Sequence, residues 1–346
     1  MSLQNASKDE EVVAMVKFGV EFIPQEPFWR TVFYVAQAEK GGFDNTWITD
    51  HFMNRNPYTT MAAISLYTEK ITMGVGVTNP YLVNPVVTAQ NIASLSEMAP
   101  NRVILGIGAG DKTTLGFLGV ETSLPVRAVR ECVEIARTLL SGEKVKNYDG
   151  KIFKIQKAKL AFKPSGKIPI YVGAQGPMML KLAAKIGDGV LINASHPDDV
   201  KEAIIHLKKG AEKVGRDLSN FDVVVYTSFS THRDRRKARK AALPVVAFIV
   251  AGCPPAILEK HGISLEKATK LKKALNEGKW DEAFSSVTDE MMEAFSICGT
   301  PEECSEKIEK MFELGVTQFV MGSPIGPKVH KAIDTISKEI IPRFKE

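Results

Sequence analysis

Short runs of apolar and β-branched residues alternate with amphipathic helical segments along the whole chain. The runs have the length of buried strands, and the segments between them place apolar residues at helical spacing. Strands are predicted near residues 17–23, 44–49, 71–78, 102–107, 168–172, 188–192, 221–229 and 316–321. Helices are predicted at 28–40, 85–98, 126–140, 178–186 and 198–214. Eight strands that each lead into a helix favour an α/β fold, a (β/α)8 TIM barrel, over two doubly wound domains.

Two stretches do not fit one helix per strand. Residues 142–166 contain Asn-Tyr-Asp-Gly at 147–150 between short apolar runs, which predicts a hairpin before the fifth strand. Residues 231–298 separate the seventh and eighth strands and hold helical pieces at 265–276 and 289–295. An insertion of that length over a barrel mouth is typical of a lid or a subunit contact.

Composition changes this picture little. Of the 346 residues, 44% are hydrophobic and 25% are charged, which is ordinary for a globular chain that can bury a large core. The net charge is +5, and the one dense basic cluster, residues 233–240, has no interleaved aromatic residues. A solvated helix face is therefore favoured over an anion site, and nucleic acid is not an expected partner.

Cysteine spacing and the chain start bear on metals and location. Cys132, Cys253, Cys298 and Cys304 form neither a CxxC pair nor the Cys/His spacing of a zinc site. We expect no metal, reduced thiols and a cytoplasmic protein, because no segment approaches the roughly 18 apolar residues of a membrane helix. The polar residues 1–15 are expected to form a flexible extension, with residues 16–346 as a single barrel domain.

The first predicted strand carries an acid where a barrel interior is normally apolar. Phe18, Val20 and Phe22 share one face by the period of two, so Glu21 shares the other with Gly19. In a closed barrel Glu21 would point into the lumen near the C-terminal mouth, where barrel enzymes keep their chemistry. A lone carboxylate there is unfavourable to desolvate, so Glu21 is the first catalytic candidate, with a buried acid held by backbone donors as the structural alternative.

The other strand ends add polar and glycine-rich segments to the same mouth. These are Thr49-Asp50-His51, Gly74 to Pro80, Gly106 to Asp111, Gly173 to Pro177, and Met321 to Pro324. Asp50 and His51 are favoured as ligand contacts over a cap and a surface histidine, because loops at barrel mouths carry function. For Asp111, a cap of the following turn and a catalytic role are equally supported.

The glycines differ in what they indicate. Gly106, Gly108 and Gly110 lack the GxGxxG spacing of a dinucleotide site. Residues 173–177 open a helix and are better placed to hold a phosphate through backbone N–H groups. Gly74 and Gly76 inside a strand imply either a bulge or a close approach to a ligand, such as a flat ring.

Several motifs together resemble a known group of proteins. They are Lys-Phe-Gly-Val-Glu-Phe-Ile-Pro (17–24), Thr-Asp-His-Phe (49–52), Gly-Val-Thr-Asn-Pro-Tyr (76–81), Asn84 to Gln90, and Arg102 to Gly110 with Asp111-Lys112. The chain resembles the bacterial-luciferase-like superfamily of TIM barrels, which bind FMN or the deazaflavin coenzyme F420. Within it, the similarity is to the F420-dependent 5,10-methylenetetrahydromethanopterin reductases of methane-producing archaea, and it covers residues from about 16 to 346.

The resemblance implies an oxidoreductase of methanogenesis and one-carbon metabolism. The family transfers a hydride from reduced F420 to methylenetetrahydromethanopterin, or sarcinapterin, giving the 5-methyl compound. It implies catalytic roles for Glu21 and Asp111, and a homodimer or homotetramer packed through helices near the second and third strands. It also implies that the deazaflavin is contacted by Asp50, His51, Gly76, Val77, Thr78, Asn79, Gly108 and Gly110, and its phosphate by Gly173, Ala174, Gln175 and Gly176. A non-prolyl cis peptide of the third strand is expected at Gly76-Val77.

The related F420-dependent sugar-phosphate dehydrogenases fit less well, because they usually have a tryptophan shortly after the histidine and this chain has Phe52. Two alternatives stay open: an FMN-dependent luciferase-like monooxygenase, and a flavin-binding relative without turnover. The favoured mechanism has Glu21, with a pKa raised by burial and by a neighbouring acid such as Asp111, protonate the departing pterin nitrogen before hydride transfer.

Overall fold

The structure, a computed structural model, describes residues 16–345; the predicted extension at residues 1–15 lies outside them. The strands are β1 (Lys17–Phe22), β2 (Asn45–Ile48), β3 (Thr72–Thr78), β4 (Val103–Ile107), β5 (Val145–Asp149), β6 (Lys154–Ala158), β7 (Ile170–Gly173), β8 (Gly189–Asn193), β9 (Asp222–Thr231), β10 (Ile297–Gly299) and β11 (Gln318–Ile325). Eight of them pair in parallel in the order β1-β2-β3-β4-β7-β8-β9-β11, and β11 returns to β1. The predicted TIM barrel and all eight of its strands are confirmed.

Helices follow the strands and form the outer layer. They are α1 (Phe28–Lys40), α2 (Pro57–Ser65), α3 (Pro85–Met98), α4 (Lys112–Phe117), α5 (Pro125–Leu140), α6 (Pro177–Ile186), α7 (Pro197–Glu212), α8 (Arg235–Gly252), α9 (Pro255–Lys260), α10 (Leu265–Asn276), α11 (Trp280–Ser285), α12 (Asp289–Phe295), α13 (Pro301–Glu313) and α14 (Val329–Thr335). Many begin with proline at the first turn behind a polar cap, as with Asn56, Asn84 and Thr300. The five helices predicted after strands are present, and so are the helical pieces expected at 265–276 and 289–295; the other seven α-helices of the described residues had no predicted range.

Strand β11 continues past its predicted end at residue 321. Pro324 has no N–H to donate to a ladder, which disfavours regular strand pairing at this position. Pairing with β9 instead shifts register between Gly322 and Ile325 and then resumes, with Ser323-Pro324 in the cis form. This irregular end brings the backbone of Ser323 over the lumen.

The predicted faces of β1 are confirmed. Phe18, Val20 and Phe22 are buried in the layer between the strands and the helices. The lumen holds a separate apolar cluster of Trp47, Ile104, Tyr171, Leu191, Val224 and Val320. Glu21 pairs in register with Trp47, whose side chain belongs to that lumen cluster. Glu21 therefore points inward.

Both irregular stretches contain additional structure. Strands β5 and β6 form the antiparallel hairpin expected within residues 142–166. Helices α8 to α12 and strand β10 occupy the stretch between β9 and α13, and they have an apolar cluster of their own. Two basic residues of α8 face acids: Arg235 lies 3.3 Å from Glu303 and Arg239 lies 2.6 Å from Asp289. This supports a solvated, ion-paired helix face.

Across residues 16–345, no helix combines the length and apolar character needed to span a bilayer. Within the same residues, no group of three or more His, Cys, Asp or Glu side chains is arranged to hold a metal ion.

Candidate active site

Glu21 lies at the floor of the barrel mouth. Its residue is half-buried, yet its carboxyl group is deep enough that burial raises its pKa to about 7; the backbone N–H of Ser323, donating to Oε2 at 3.1 Å, acts in the opposite direction. Gly322 makes room for this group, because a Cβ there would lie 2.6 Å from Oε2. Glu21 can thus hold a proton near neutral pH.

The expectation that Asp111 raises the pKa of Glu21 is wrong. Asp111 is exposed at the rim, and its Oδ1 accepts a hydrogen bond from the Thr113 N–H at 2.9 Å, which caps α4. Burial alone raises the pKa of Glu21. The capping alternative for Asp111 is confirmed, and any contact with a bound molecule would be made from the rim.

Asp50 and His51 follow β2 on the next side of the mouth. Burial raises the pKa of Asp50, while the Thr78 hydroxyl and the His51 imidazole act to lower it. His51 itself is exposed. The structure therefore places a half-buried acid and an exposed histidine beside the end of β3, where both can reach a bound molecule.

The end of β3 is a bulge. Gly76-Val77 is a cis peptide, as expected, and the pairing of β3 with β4 shifts register between Val75 and Thr78. Val77 packs against two glycines of neighbouring strands: a Cβ at Gly108 would lie 2.6 Å from its Cγ2, and one at Gly173 would lie 3.1 Å from its Cγ1. These glycines let Val77 cross the top of the lumen.

The structure explains Gly74 by packing, and not by the close approach of a ligand that the sequence analysis allowed. A Cβ at Gly74 would lie 2.3 Å from the ring of Trp47. Gly74 is therefore needed for packing inside the lumen. The half-buried Gly76 is close-packed as well, because a Cβ there would lie 3.0 Å from the Tyr226 hydroxyl and 3.2 Å from the ring of Trp47.

Thr78 and Asn79 are buried beside the bulge. The Thr78 carbonyl accepts the Gly108 N–H at 2.8 Å. The Asn79 side chain accepts the N–H groups of Tyr81 and Leu82 at 3.0 and 3.1 Å, so its oxygen orders the loop. Gly110 adopts a φ of +73°, in the left-handed region, and fits against Asn79. This wall of the mouth is held together from within.

The expected phosphate loop is only partly available. The Ala174 N–H donates to the Leu191 carbonyl at 2.9 Å, so it cannot also point at a ligand. The Gln175 side chain donates to the Asn193 carbonyl at 3.4 Å. Gly176 precedes α6 without a side-chain cap, so the positive end of that helix is the part of residues 173–177 suited to an anion.

Two tyrosines of the mouth were not singled out from the sequence. The hydroxyl groups of Tyr58 and Tyr226 are buried without a hydrogen-bond partner among the described residues, and so is that of Thr49. Burial is the first cause that raises the pKa of each tyrosine; a neighbouring acid, Asp50 for Tyr58 and Glu21 for Tyr226, is the second. For Tyr226 the sequence held a usable signal: successive side chains of a strand point to opposite faces, so Tyr226 of β9 shares the inward face with Val224.

Comparisons with known proteins agree with this architecture. A family model described as luciferase-like monooxygenase matches residues 11–318. The chain is 51% identical over 334 residues to 5,10-methylenetetrahydromethanopterin reductase of Archaeoglobus fulgidus, covering 95% of this chain and 100% of that protein. It is 47% identical to the reductase of the same name from Methanolobus tindarius, covering 94% of this chain and 99% of that protein.

A solved structure is also similar along its whole length. The coenzyme F420 dependent tetrahydromethanopterin reductase from Methanopyrus kandleri superposes with a TM-score of 0.91 at 40% identity, and the match covers 96% of this chain and 100% of that one.

Proposed function

This chain belongs to the luciferase-like monooxygenase family and, within it, to the 5,10-methylenetetrahydromethanopterin reductases, and we propose that Glu21 is the proton donor of its reaction. The enzyme transfers a hydride from reduced coenzyme F420 to 5,10-methylenetetrahydromethanopterin and forms the 5-methyl compound. The observation that carries the proton assignment is the buried carboxyl group of Glu21, with a pKa of about 7, at the floor of the mouth.

The reaction needs an acid for a chemical reason. The methylene carbon bridges two pterin nitrogens, and one C–N bond must open before the carbon can accept a hydride. Opening leaves electrons on the departing nitrogen, so a proton supplied there lowers the barrier. A carboxyl group with an ordinary pKa would be ionised at neutral pH, whereas the pKa of Glu21 leaves a large fraction protonated.

We propose that a planar cofactor binds at the mouth beside this acid. Reduced coenzyme F420 supplies the hydride when it is bound. We propose that the cis peptide at Gly76-Val77 backs its ring, with Thr78, Asn79, Gly108 and Gly110 as the surrounding wall. The uncommitted hydroxyls of Tyr58 and Thr49 support this proposal, because buried polar groups require partners and a bound molecule can supply them.

The remaining predicted contacts divide by position. Asp50 and His51 flank the end of β3 and are proposed to contact the ring. The start of α6 at Gly176, with Gly173 and Gln175 beside it, is proposed to face the cofactor phosphate; Ala174 contributes packing, since its N–H is engaged. Asp111 is proposed to contact the pterin from the rim.

An assay tests the function directly. Reduced F420 is mixed with methylenetetrahydromethanopterin under exclusion of oxygen, and we expect the absorbance of the oxidised deazaflavin to return only when both substrate and enzyme are present.

The alternative function, an FMN-dependent monooxygenase, is tested by titrating the protein with FMN and with F420. Tight FMN binding with oxygen consumption would reject the proposed cofactor assignment.

We also propose a homo-oligomer in the cytoplasm, working in methanogenesis. Helix α1 exposes Phe28, Trp29 and Phe33, and the adjacent end of α2 exposes Leu66 and Tyr67, each by more than half of its surface. Exposed aromatic residues grouped on adjacent helices are typical of a subunit contact. The four cysteines are free, which supports a reducing compartment.

A further inference from the structure

Tyr226 presents an uncommitted donor to the lumen. Its ring lies in the lumen with a centroid 6.4 Å from that of Trp47. Its residue pairs in register with Val320 of β11, which pairs with Gly19, the inward-facing neighbour of Glu21 on β1. The hydroxyl oxygen is buried and has no hydrogen-bond partner in residues 16–345. A Cβ at Gly76 would lie 3.0 Å from that oxygen, so the hydroxyl reaches up to the bulge of β3.

Glu21 lacks donors on the same floor. Among the described residues its carboxyl group accepts one hydrogen bond, from the Ser323 N–H. A carboxylate can accept about four. The neighbouring indole of Trp47 cannot help, because its Nε1 donates to Gln318 Oε1 at 2.9 Å. Two hydroxyl groups at this end of the lumen, those of Tyr226 and Thr49, are buried and have no hydrogen-bond partner among residues 16–345.

We propose that Tyr226 is a positioning residue for Glu21, whose phenolic O–H donates a hydrogen bond to the Glu21 carboxylate after Glu21 has given its proton to the departing pterin nitrogen. The inference rests on the proposed role of Glu21. The carboxylate is then left in a water-poor site with a single backbone donor, and a second, charge-assisted hydrogen bond stabilises it until solvent returns the proton. Bonds and charges balance, because the phenol keeps its own proton throughout.

Electrostatics support a phenol that stays protonated. Burial and the negative charge of Glu21 both raise the pKa of Tyr226, so ionisation of Glu21 makes the phenol a donor with no tendency to lose its proton. The other ionisable lumen groups are committed elsewhere. Tyr171 and Asp222 lie below and bond to each other, with Lys17 beside Asp222, while Asp50 faces Thr78 and His51.

The test measures Glu21 without substrate or cofactor. Infrared spectroscopy follows the carbonyl band of protonated Glu21, assigned by its loss in Glu21→Gln, as a function of pH. In Tyr226→Phe we expect the midpoint to rise by about one pH unit, the size expected for losing one hydrogen bond to a charged group. The matched control is Tyr148→Phe, which removes a phenol of the β5–β6 hairpin that donates a hydrogen bond to Glu134 of α5. It should leave the midpoint unchanged.

Turnover supplies a second readout. In Tyr226→Phe the alkaline limb of the kcat profile should move upward with the infrared midpoint. On the acidic side of that limb, kcat should fall by up to about tenfold, because an acid with a pKa raised by one unit is a weaker proton donor, and the KM for F420 should be unchanged. A folded Tyr226→Phe with an unshifted midpoint would overturn the proposal, as would a shift produced by Thr49→Val instead. If Tyr226→Phe does not fold, fluorotyrosine at position 226, a stronger donor, should lower the midpoint; no change would equally reject the role.

Failure of the proposed function is distinguishable from failure of this inference. A wild-type enzyme that does not reoxidise reduced F420 with the pterin rejects the function, whereas the infrared midpoints of wild type and Tyr226→Phe still decide whether the phenol bonds to Glu21.

Discussion

At the scale of single residues, Glu21 differs from the other acids of the mouth in what surrounds its carboxyl group. Asp111 faces solvent, and Asp50 has a hydroxyl and an imidazole beside it. Glu21 has apolar neighbours and one backbone donor. Because desolvation acts on the charged form, burial raises the pKa of Glu21 and of Asp50.

The first prediction concerns turnover. Glu21→Gln removes the proton donor while keeping the shape of the side chain, so kcat should fall by roughly 10²- to 10⁴-fold, the range of general acid catalysis. Binding of F420, measured by fluorescence titration, should be retained. Glu143→Gln makes the same change in an exposed turn and should leave kcat unaltered. Wild-type turnover in Glu21→Gln would refute the acid role.

The second prediction concerns stability against pH. Folding raises the pKa of Glu21 from 4.5 to about 7, so wild type holds a proton that the unfolded chain has released in that window. The contribution of Glu21 protonation to the free energy of unfolding is therefore fully present below pH 4.5 and is lost progressively as the pH rises to 7. The free energy of unfolding of Glu21→Gln relative to wild type should rise across this window by up to about 3 kcal/mol and then level off. Urea unfolding at several pH values checks this, and a flat difference would contradict the burial.

At the scale of elements, the mouth depends on how strand ends meet. Val77 leaves the β3 ladder at the bulge and packs against Gly108, which follows β4, and Gly173, at the end of β7. The glycine-rich ends of three different strands thus have one common cause, since each leaves space for a neighbour on the next strand.

A third prediction follows from that packing. Gly108→Ala would place a methyl group 2.6 Å from Val77 Cγ2 and should displace the bulge. If the bulge backs the ring, the Kd for F420 should rise about tenfold or more, because overpacking of this kind is unfavourable by about 1–3 kcal/mol. Isothermal titration measures the effect. The double variant with Val77→Ala removes the clash and should recover part of the affinity; no recovery would show that the loss has another origin.

At the scale of the whole molecule, the exposed apolar side chains are uneven. The aromatic residues of α1 lie beside those at the end of α2, on the side of the barrel that carries β2 and β3. A second exposed pair, Phe248 and Trp280, lies on the insertion between β9 and α13.

The fourth prediction uses this contrast. Phe33→Glu places a charge within the proposed α1–α2 contact and should shift the protein to smaller species in light scattering, because an unpaired charge is unfavourable in a buried interface. Phe248→Glu, a matched change at an equally exposed phenylalanine, should leave the assembly intact. If Phe248→Glu dissociates the protein and Phe33→Glu does not, the contact lies on the insertion.

The sequence by itself determined the barrel, its eight strands and the inward direction of Glu21. Alternation of apolar and polar positions is a local property, and the period of two fixes which side chains share a face once a strand is recognised. It also indicated which strand ends meet, because parallel strands place their carboxyl ends at one mouth.

Only the tertiary structure decided how the site works. The donor to Glu21 comes from Ser323, 302 positions away in the chain, and the unpaired phenol near it comes from Tyr226. Gly74 packs against Trp47 inside the lumen, and Asp111 caps α4, which was one of the two roles that its sequence position allowed. Desolvation, close approach and hydrogen-bond commitment depend on which distant segments surround a group, and no local pattern encodes that.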